Sequence, residues 1–553
     1  MLLALLERAS AIMLPSESHF GCRDWGCQGW PGPGDFFIIE GRRMQWAQVG
    51  QLPTGRARLR ARIAPLAFLL ALALANAVTF PSLVGFHSGK TLTTGSGALP
   101  YILLASLNAA GLFWLSQSAS TRRRMPIAGL LLLALATRLA YLALRQATGA
   151  AQVDGDVALF LRYAQAFAGG QYPEMEYPQG ALALFTLAYL PTTIGIGTYP
   201  LCFALLMIPC ELVTLASIAW LGKLAGNEEA AWAVIAFAAI SPFTFELGYG
   251  KFDAAPAAAL ALGMALFAAD HRRLSALSLA AGFLLKWFPA IAIAFFVLHL
   301  LRARRWREAL EYASIAALGI VLPLIPFWLA SSARFLYTYR FHGSRPLMAE
   351  SMLYVPIYLL EPAARLDEAT KPWSSVATSL LSGEIAPLLQ VVGIGAALVV
   401  AFVVRPRWQA AVSLSGVGVA LFIVLNRVFS PQYILVLIAA YGCGLVALRS
   451  LRRLSPLAGP ALLPMTLASY LVWPLWWRYW VWASAALLTL NLAICLALVF
   501  GATKEAAQTG RDEAGTKQAV PQAAPPDAIA RPPAQRLASR DSPESETCPA
   551  AVR

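Results

Sequence analysis

Charged side chains are scarce in this chain, and the sequence motifs of several enzyme classes are missing. Asp, Glu, Lys and Arg make up 13% of the 553 residues, whereas soluble domains usually contain about 25%. The chain has no Walker motif, no Rossmann glycine pattern and no H-E-x-x-H sequence, so ATP-driven transport and zinc-protease chemistry are excluded. The seven cysteines form neither a disulfide framework nor a metal-binding cluster.

Hydrophobic residues, in contrast, make up 58% of the chain. Apolar runs of roughly 17 to 25 residues, the length that a helix needs to cross a bilayer, recur from residue 64 to residue 500. The sequence therefore predicts an all-α polytopic membrane protein with about 14 transmembrane helices. The predicted spans are 64–86, 98–117, 126–147, 181–221 (one span plus a shorter segment), 230–248, 254–269, 275–301 (two short limbs joined at Lys286–Pro289), 308–330, 385–404, 409–425, 433–448, 459–476 and 479–500.

Composition divides the chain into four regions. Residues 1–62 lack periodicity and are expected to form a disordered N-terminal arm, unless translation begins near Met44. Residues 63–125 would hold two transmembrane helices, and residues 126–500 the main transmembrane region. Residues 501–553 are rich in Ala, Pro and charge, which predicts a disordered cytoplasmic tail.

The formal net charge of +14 arises largely from Arg clusters between apolar runs. Such clusters are typical of the cytoplasmic anchors of membrane helices, so no nucleic-acid partner is expected. The predicted spans put all of the clusters on one face, and the hairpin at 275–301 is itself inferred from this rule. The clusters are Arg56 to Arg62, Arg122 to Arg124, Arg272-Arg273, Arg302 to Arg307, Arg405-Arg407 and Arg449 to Arg453.

Because successive spans place their loops on alternate faces of the membrane, the same span list places five polar segments on the opposite, extracytoplasmic face. A pore or transporter would spread its polar residues through the depth of the membrane, so their gathering at one surface favours chemistry there. The segments are Asp154–Asp156, Gly250–Asp253, Lys286–Pro289, His342–Ser351 and Asn426–Tyr433.

Two acids, Asp154 and Asp156, follow closely on the apolar run 127–147, where a charge beside hydrocarbon is costly. Residues 157–168 can form an interfacial helix with an apolar face, which would hold both carboxylates at the membrane surface. A carboxylate there can take a proton from an acceptor hydroxyl while the anomeric carbon of a sugar is attacked. The alternative is that one of the acids merely caps the following helix.

Four further charged residues are candidates because of their apolar surroundings. Lys251 and Asp253 lie between two apolar runs and could also form a simple ion pair at a helix end. Lys286 is flanked by apolar residues on both sides, so it needs an anion or must extend to the interface; a lipid-linked phosphate would fit. Glu211 lies inside a predicted span and is a candidate by default, although a helix-to-helix hydrogen bond by its protonated form is the alternative.

Two polar segments complete the candidates. Each segment contains an arginine, which can bind phosphate in a bidentate manner, and the second also contains amides that could bind sugar hydroxyls. The alternatives are that the first segment is a solvated loop and that the polar residues of the second cap helices. The first segment supplies His342, Arg345 and Glu350, and the second supplies Asn426, Arg427 and Gln432.

The ordered set of these motifs resembles the GT-C superfamily of integral-membrane glycosyltransferases. It looks like the bacterial mannosyltransferase-type branch, family eighty-seven, and its eukaryotic GPI-mannosyltransferase relatives, over about residues 126–450. The motifs are an acid after a span, Y-A followed by G-G-Q-Y-P-E-M-E-Y-P (163–178), G-K-F-D (250–253), A-G-F-L-L-K-W-F-P (281–289), R-P-L-M-A-E-S (345–351) and N-R-V-F-S-P-Q-Y-I-L (426–435). The chain departs from the pattern at Lys251, where Gln or Asn is common, and at Y-P-Q-G in place of Y-P-P.

The resemblance implies a GT-C-like catalytic region at 126–500, two extra helices before it, and a multi-pass plasma-membrane protein with an extracytoplasmic active site. It implies transfer of a hexose, mannose in most members, from a polyprenyl-phosphate donor to a lipid, glycan or protein acceptor with inversion. Asp156 would be the general base ahead of Asp154. The resemblance leaves open whether the enzyme uses a divalent metal, which the D-G-D pair could ligate. A transporter or lipid-linked-sugar flippase is the alternative function.

The other charged candidates are assigned roles in this reaction on chemical grounds. Cations would stabilise the departing phosphate, where charge grows in the transition state. The residues assigned to this role are Lys286, Arg345, Arg427 and His342, and the remaining substrate-binding candidates are Glu350, Gln432, Asp253 and Lys251.

Overall fold

A computed structural model describes most of the chain between residues 67 and 518: residues 67–76, 79–80, 95–117, 126–147, 155–367, 370–379, 385–473 and 475–518. These residues form helices and no strand, so the all-α prediction is confirmed for them. The predicted N-terminal arm, Asp154 and residues 519–553 of the predicted tail lie outside the described residues.

Nineteen α-helices are numbered here in chain order within the described residues. They are α1 (Ala67–Asn76), α2 (Gly95–Gln117), α3 (Ile127–Ala147), α4 (Gly155–Ala168), α5 (Gln179–Thr193), α6 (Tyr199–Ala225), α7 (Glu228–Ile240), α8 (Pro242–Gly250), α9 (Ala254–Ala268), α10 (Arg272–Leu285), α11 (Pro289–Arg302), α12 (Trp306–Ala330), α13 (Ser332–Ser344), α14 (Tyr354–Leu360), α15 (Ile385–Val403), α16 (Trp408–Val424), α17 (Tyr433–Ala447), α18 (Ala458–Val472) and α19 (Trp480–Gln518).

Seven helices in the described part are long and apolar enough to cross a membrane, or eight if the bent pair α7 and α8 forms one span. The expected count of about 14 is therefore not confirmed. The difference lies mainly in short apolar helices such as α9, α11, α16 and α17, which have 14 to 17 residues. The predicted spans 254–269, 409–425 and 433–448 correspond to α9, α16 and α17, and α11 is one of the two short limbs predicted at 275–301.

The short helices form the centre of the molecule. Residues 230–240 of α7 are all buried, and α9, α16 and α17 are buried on nearly all sides. Helix α16 approaches α17 closely because position 416 is glycine: a Cβ there would lie 2.6 Å from the carbonyl oxygen of Ala440. By contrast, only 6% of the residues in the most apolar stretch of α12, and 11% of those in α15, are buried. These two helices therefore lie at the periphery.

Prolines interrupt two of the predicted spans. Helices α7 and α8 bend by 73° at Ser241 and Pro242, a break within the predicted span 230–248. Helices α10 and α11 are separated at Lys286–Phe288, the predicted joint of two limbs, and Pro289 begins α11. Proline fits the first turn of a helix, where its missing N–H would be unpaired. Both breaks place polar groups, Ser241 and Lys286, at buried positions between apolar helices.

The predicted loop 331–384 contains two short helices, α13 and α14. Helix α13 is amphipathic in composition and packs against the segment after α4, since Thr338 Oγ1 donates to the carbonyl oxygen of Met175 at 2.8 Å. The last helix, α19, continues past the predicted span 479–500 to Gln518.

The intramembrane acid Glu211 is part of a buried ion pair. Its Oε2 accepts a hydrogen bond from Arg138 Nε at 2.8 Å, and both side chains are nearly inaccessible. Arg138 also donates to Thr137 and Thr244 and lies over the ring of Phe245. The pair ties α3 to α6 and α8, so the structure gives Glu211 a helix-packing role with an arginine rather than the protonated hydrogen bond considered above.

Candidate active site

A cavity of about 260 Å³ lies where several helix ends meet. Each of the five polar segments predicted to share a face contributes at least one lining side chain. The polar and charged lining residues are Asp156, Glu176, Lys251, Lys286, His342, Arg345, Glu350, Asn426, Ser430 and Gln432. The rings that line it are Tyr177, Trp287, Phe288, Trp373, Phe422, Tyr433 and Trp473.

Two ion pairs connect three of these segments through the short turn between α8 and α9. Lys251 Nζ lies 2.5 Å from Asp156 Oδ2, at the first turn of α4. Lys286 Nζ lies 2.6 Å from Asp253 Oδ1. Lys251 and Asp253 therefore pair with other segments, and not with each other as one reading of the sequence allowed.

The two pairs differ in their exposure. Lys286 and Asp253 are both buried, with side chains 9% and 1% exposed, whereas Asp156 is 33% exposed to the cavity. Removing one partner of a buried pair leaves an uncompensated charge and typically costs about 3–5 kcal/mol. The Lys286–Asp253 pair is therefore held in the buried wall of the cavity, while the carboxylate of Asp156 remains partly accessible.

Lys286 owes its position to the break between α10 and α11. Its backbone is extended (φ −154°, ψ 148°), which ends α10 at Leu285. The ammonium lies 4.7 Å from the ring centroids of Phe252 and Tyr433. Aromatic faces attract cations, so the lysine is stabilised at the cavity by one carboxylate and by rings.

Arg345 and Arg427 have different environments although both were predicted to bind phosphate. Arg345 lines the cavity, and within the described part of the chain its guanidinium makes no hydrogen bond or ion pair. Arg427 lies behind the cavity wall. Its NH1 donates to the carbonyl oxygens of Gly343 and Arg345, at 2.9 and 3.0 Å. Arg427 thus supports the backbone of Arg345 rather than facing the cavity.

His342 connects α13 to the segment after α4. Its Nε2 lies 2.7 Å from the carbonyl oxygen of Glu176, an arrangement in which Nε2 carries the proton. Its ring packs edge-on against Trp287, which stacks on Tyr339. Burial lowers the pKa of His342, with the bond to Glu176 opposing that shift. His342 therefore faces the cavity as a neutral imidazole at pH 7.

Two glutamates in the cavity have perturbed acidity. Burial raises the pKa of Glu350 to about 7, although the positive charges of Arg345 and Lys251 oppose the shift. Burial likewise raises the pKa of Glu176, again against Arg345. Glu350 consequently changes charge near neutral pH beside Arg345.

The described residues contain no group of three or more His, Cys, Asp or Glu side chains that could hold a metal ion. Asp154, one half of the predicted D-G-D ligand pair, is outside them. That the D-G-D pair could ligate a divalent metal therefore stays a hypothesis from the sequence.

The structure brings together most of the site residues predicted from the sequence. Asp253 and Arg427 lie directly behind the cavity, and Asp154 lies outside the described residues. Those that line the cavity are Asp156, Lys251, Lys286, His342, Arg345, Glu350 and Gln432.

Sequence reasoning missed the aromatic part of the lining. Trp287 and Phe288 directly follow Lys286, and Glu176 lies in the Y-P-E-M-E-Y-P run, so neighbouring motifs could have indicated them. Trp373 and Trp473 carry no such signal, because they reach the cavity only through tertiary packing.

Comparison with known proteins gives one match. Residues 176–431 match the model of glycosyltransferase family 87, a range that contains most of the cavity but begins after Asp156. No curated protein and no solved structure matches the chain. Together with the long apolar helices, the similarity to family 87 supports a membrane glycosyltransferase.

Proposed function

We propose that the protein transfers a hexose, mannose in the first instance, from a polyprenyl-phosphate donor to a hydroxyl of a lipid, glycan or protein acceptor. The reaction inverts the anomeric carbon and takes place on the extracytoplasmic face of the plasma membrane. One observation carries the proposal: a reachable carboxylate, Asp156, shares a single cavity with the cations Arg345 and Lys286.

The chemistry needs both groups. Asp156 takes the proton of the acceptor hydroxyl as its oxygen forms a bond to the anomeric carbon. The bond from that carbon to the phosphate oxygen breaks, and the phosphate leaves with the electron pair. Since a phosphate is a good leaving group, cationic stabilisation suffices and no strong general acid is required.

The contacts divide the work among the cations. Lys251 occupies Oδ2 of Asp156, which leaves Oδ1 for the acceptor hydroxyl. Lys286 is already paired with Asp253, so its charge is partly compensated. Arg345 makes no ion pair in the described residues, and its planar guanidinium suits bidentate contact with a phosphate. Arg345 is therefore the first candidate for the phosphate of the donor.

The test uses purified full-length protein, radiolabelled polyprenyl-phosphate mannose and membrane-lipid acceptors. We expect Asp156→Asn to lower the transfer rate by about 100- to 10,000-fold, the usual contribution of a general base. Glu174→Gln is the matched control, because Glu174 is exposed on the neighbouring segment and does not line the cavity. Control activity should equal that of the wild type.

Three results would change the proposal. Full activity of Asp156→Asn, with loss in Asp154→Asn, would move the role of the base to Asp154. Full activity of both variants would remove the carboxylate mechanism. Movement of a lipid-linked sugar across vesicles without transfer from any lipid-phosphate sugar would favour the flippase alternative.

A further inference from the structure

A second cavity, of about 510 Å³, lies at the opposite ends of helices that build the candidate active site. Helix α11 begins beside Phe288 of the first cavity and contributes its C-terminal turn to the second. Its 14 residues separate the two by about 20 Å at 1.5 Å per residue. The second cavity is therefore a distinct site and no extension of the first.

Arginines from three separate turns meet in this cavity. Arg272 begins α10, Arg305 precedes α12, and Arg405 and Arg407 lie between α15 and α16. These turns are more than 30 residues apart in sequence, so the fold gathers them. Four guanidinium groups converging on one cavity make a site for an anion.

The acids nearby compensate only part of this charge. Arg272 contacts Asp270 and Glu308, and Arg305 Nε lies 2.6 Å from Glu308 Oε1. Arg405 is exposed and has no hydrogen bond or ion pair within the described residues. The guanidinium groups of Arg272, Arg305 and Arg405 thus face the two carboxylates of Asp270 and Glu308, which leaves an excess of positive charge at the cavity.

Apolar surface continues from the cavity along two peripheral helices. Helices α12 and α15 both pack against α11, and little of either is buried. Beside the cavity, Trp306 is 63% exposed, Phe402 60% and Val403 72%. A small soluble anion would leave this apolar surface uncovered, whereas the acyl chains of a phospholipid would pack against it.

We propose that this cavity binds the phosphate headgroup of an anionic phospholipid, with the acyl chains lying against α12 and α15. Basic pockets between membrane helices recognise anionic headgroups in this way. The site is independent of glycosyl transfer, and Trp408 in its lining suits the interfacial level of a membrane.

Native mass spectrometry of the purified full-length protein, titrated with phosphatidylglycerol or phosphatidylcholine, tests the proposal. The wild type should bind phosphatidylglycerol more tightly than phosphatidylcholine. Arg405→Glu should weaken phosphatidylglycerol binding by about tenfold and leave phosphatidylcholine binding unchanged. Arg452→Glu is the matched control, because Arg452 is an exposed arginine on another turn, outside the cavity; its binding should match that of the wild type.

Glycerol phosphate, which has the headgroup charge but no acyl chains, separates the two sources of phosphate. It should not displace the lipid at concentrations at which the lipid itself saturates. Equal affinity of Arg405→Glu and wild type, equal affinity for the two lipids, or efficient displacement by glycerol phosphate would each overturn the proposal. Arg405→Gln, a milder change at the same exposed position, serves if thermal unfolding shows that Arg405→Glu does not fold.

Discussion

Asp156 and Lys286 are each held by a partner from the same three-residue turn, Lys251 to Asp253. The turn therefore sets the separation between the proposed base and one wall of the phosphate site. A change in this turn would move both groups together. Lys251 also explains how a carboxylate is kept at a helix start beside apolar surface: an opposite charge compensates it.

Glu350 links the activity of the proposed site to pH. Its pKa of about 7 means that the side chain is neutral below pH 7 and negative above it. The negative form lies near Arg345 and competes with the donor phosphate, which stays singly charged over this range. We expect the KM for the donor to rise as pH increases from 6 to 8, and Glu350→Gln to abolish most of that rise.

The measurement is KM for the polyprenyl-phosphate donor at several pH values in both proteins, with Glu174→Gln as a control that keeps the wild-type profile. Because only the binding of the phosphate is argued to change, kcat should vary less than KM. An identical rise of KM in Glu350→Gln and wild type would show that another group controls donor binding.

At the scale of elements, broken helices supply the polar groups of the site. Helix α8 ends at Gly250 just before Lys251, α10 ends before Lys286, and α17 begins beside Gln432. Each end leaves backbone groups unpaired within the helix, so side chains and polar turns collect there. Because these helices are short, their apolar middle parts are buried in the core and their polar ends lie close to one another at the cavity.

The bend between α7 and α8 places a glycine against the buried ion pair of Arg138 and Glu211. A Cβ on Gly248 would overlap Glu211 Oε1. We expect Gly248→Ala to displace Glu211 from Arg138 and to destabilise the protein on the order of 3 kcal/mol, the cost of disrupting a buried pair. The apparent midpoint of thermal unfolding in detergent would measure this loss.

Gly250→Ala is the matched control for that substitution, because Gly250 ends the same helix and a Cβ there meets no atom within 4 Å. Its midpoint should equal that of the wild type. Equal midpoints for both variants would mean that α8 shifts at little cost and that the ion pair does not depend on the glycine.

For the whole molecule, hydropathy predicted where helices lie but not how their ends meet. The predicted spans 385–404 and 409–425 correspond to Ile385–Val403 and Trp408–Val424, since apolar length is encoded locally. The pairing of Lys251 with Asp156 joins residues 95 positions apart, and the place of Trp473 in the cavity depends on the packing of α18. Such contacts arise from tertiary packing. A sequence motif shows which residue types are present, but not which of them meet in the folded protein.

The two cavities also give the molecule a predicted orientation. Arginine-rich turns collect at one end of α9–α11, and the candidate active site lies at the other. Because arginine-rich loops stay in the cytoplasm, residues near the active site should be accessible from outside the cell. Glu174→Cys and Arg307→Cys test this in a background with the seven native cysteines replaced by alanine; both positions are exposed.

A membrane-impermeant maleimide should label Glu174→Cys in intact cells and Arg307→Cys only after the membrane is permeabilised. The reason is physical: moving the arginine clusters across the bilayer would be costly at each loop, so one orientation dominates. Label at Arg307→Cys in intact cells, without label at Glu174→Cys, would put the carboxylate and the phosphate-binding cations on the cytoplasmic side. The donor would then have to present its sugar to the cytoplasm, and the extracytoplasmic reaction would be wrong even if Asp156 is the base.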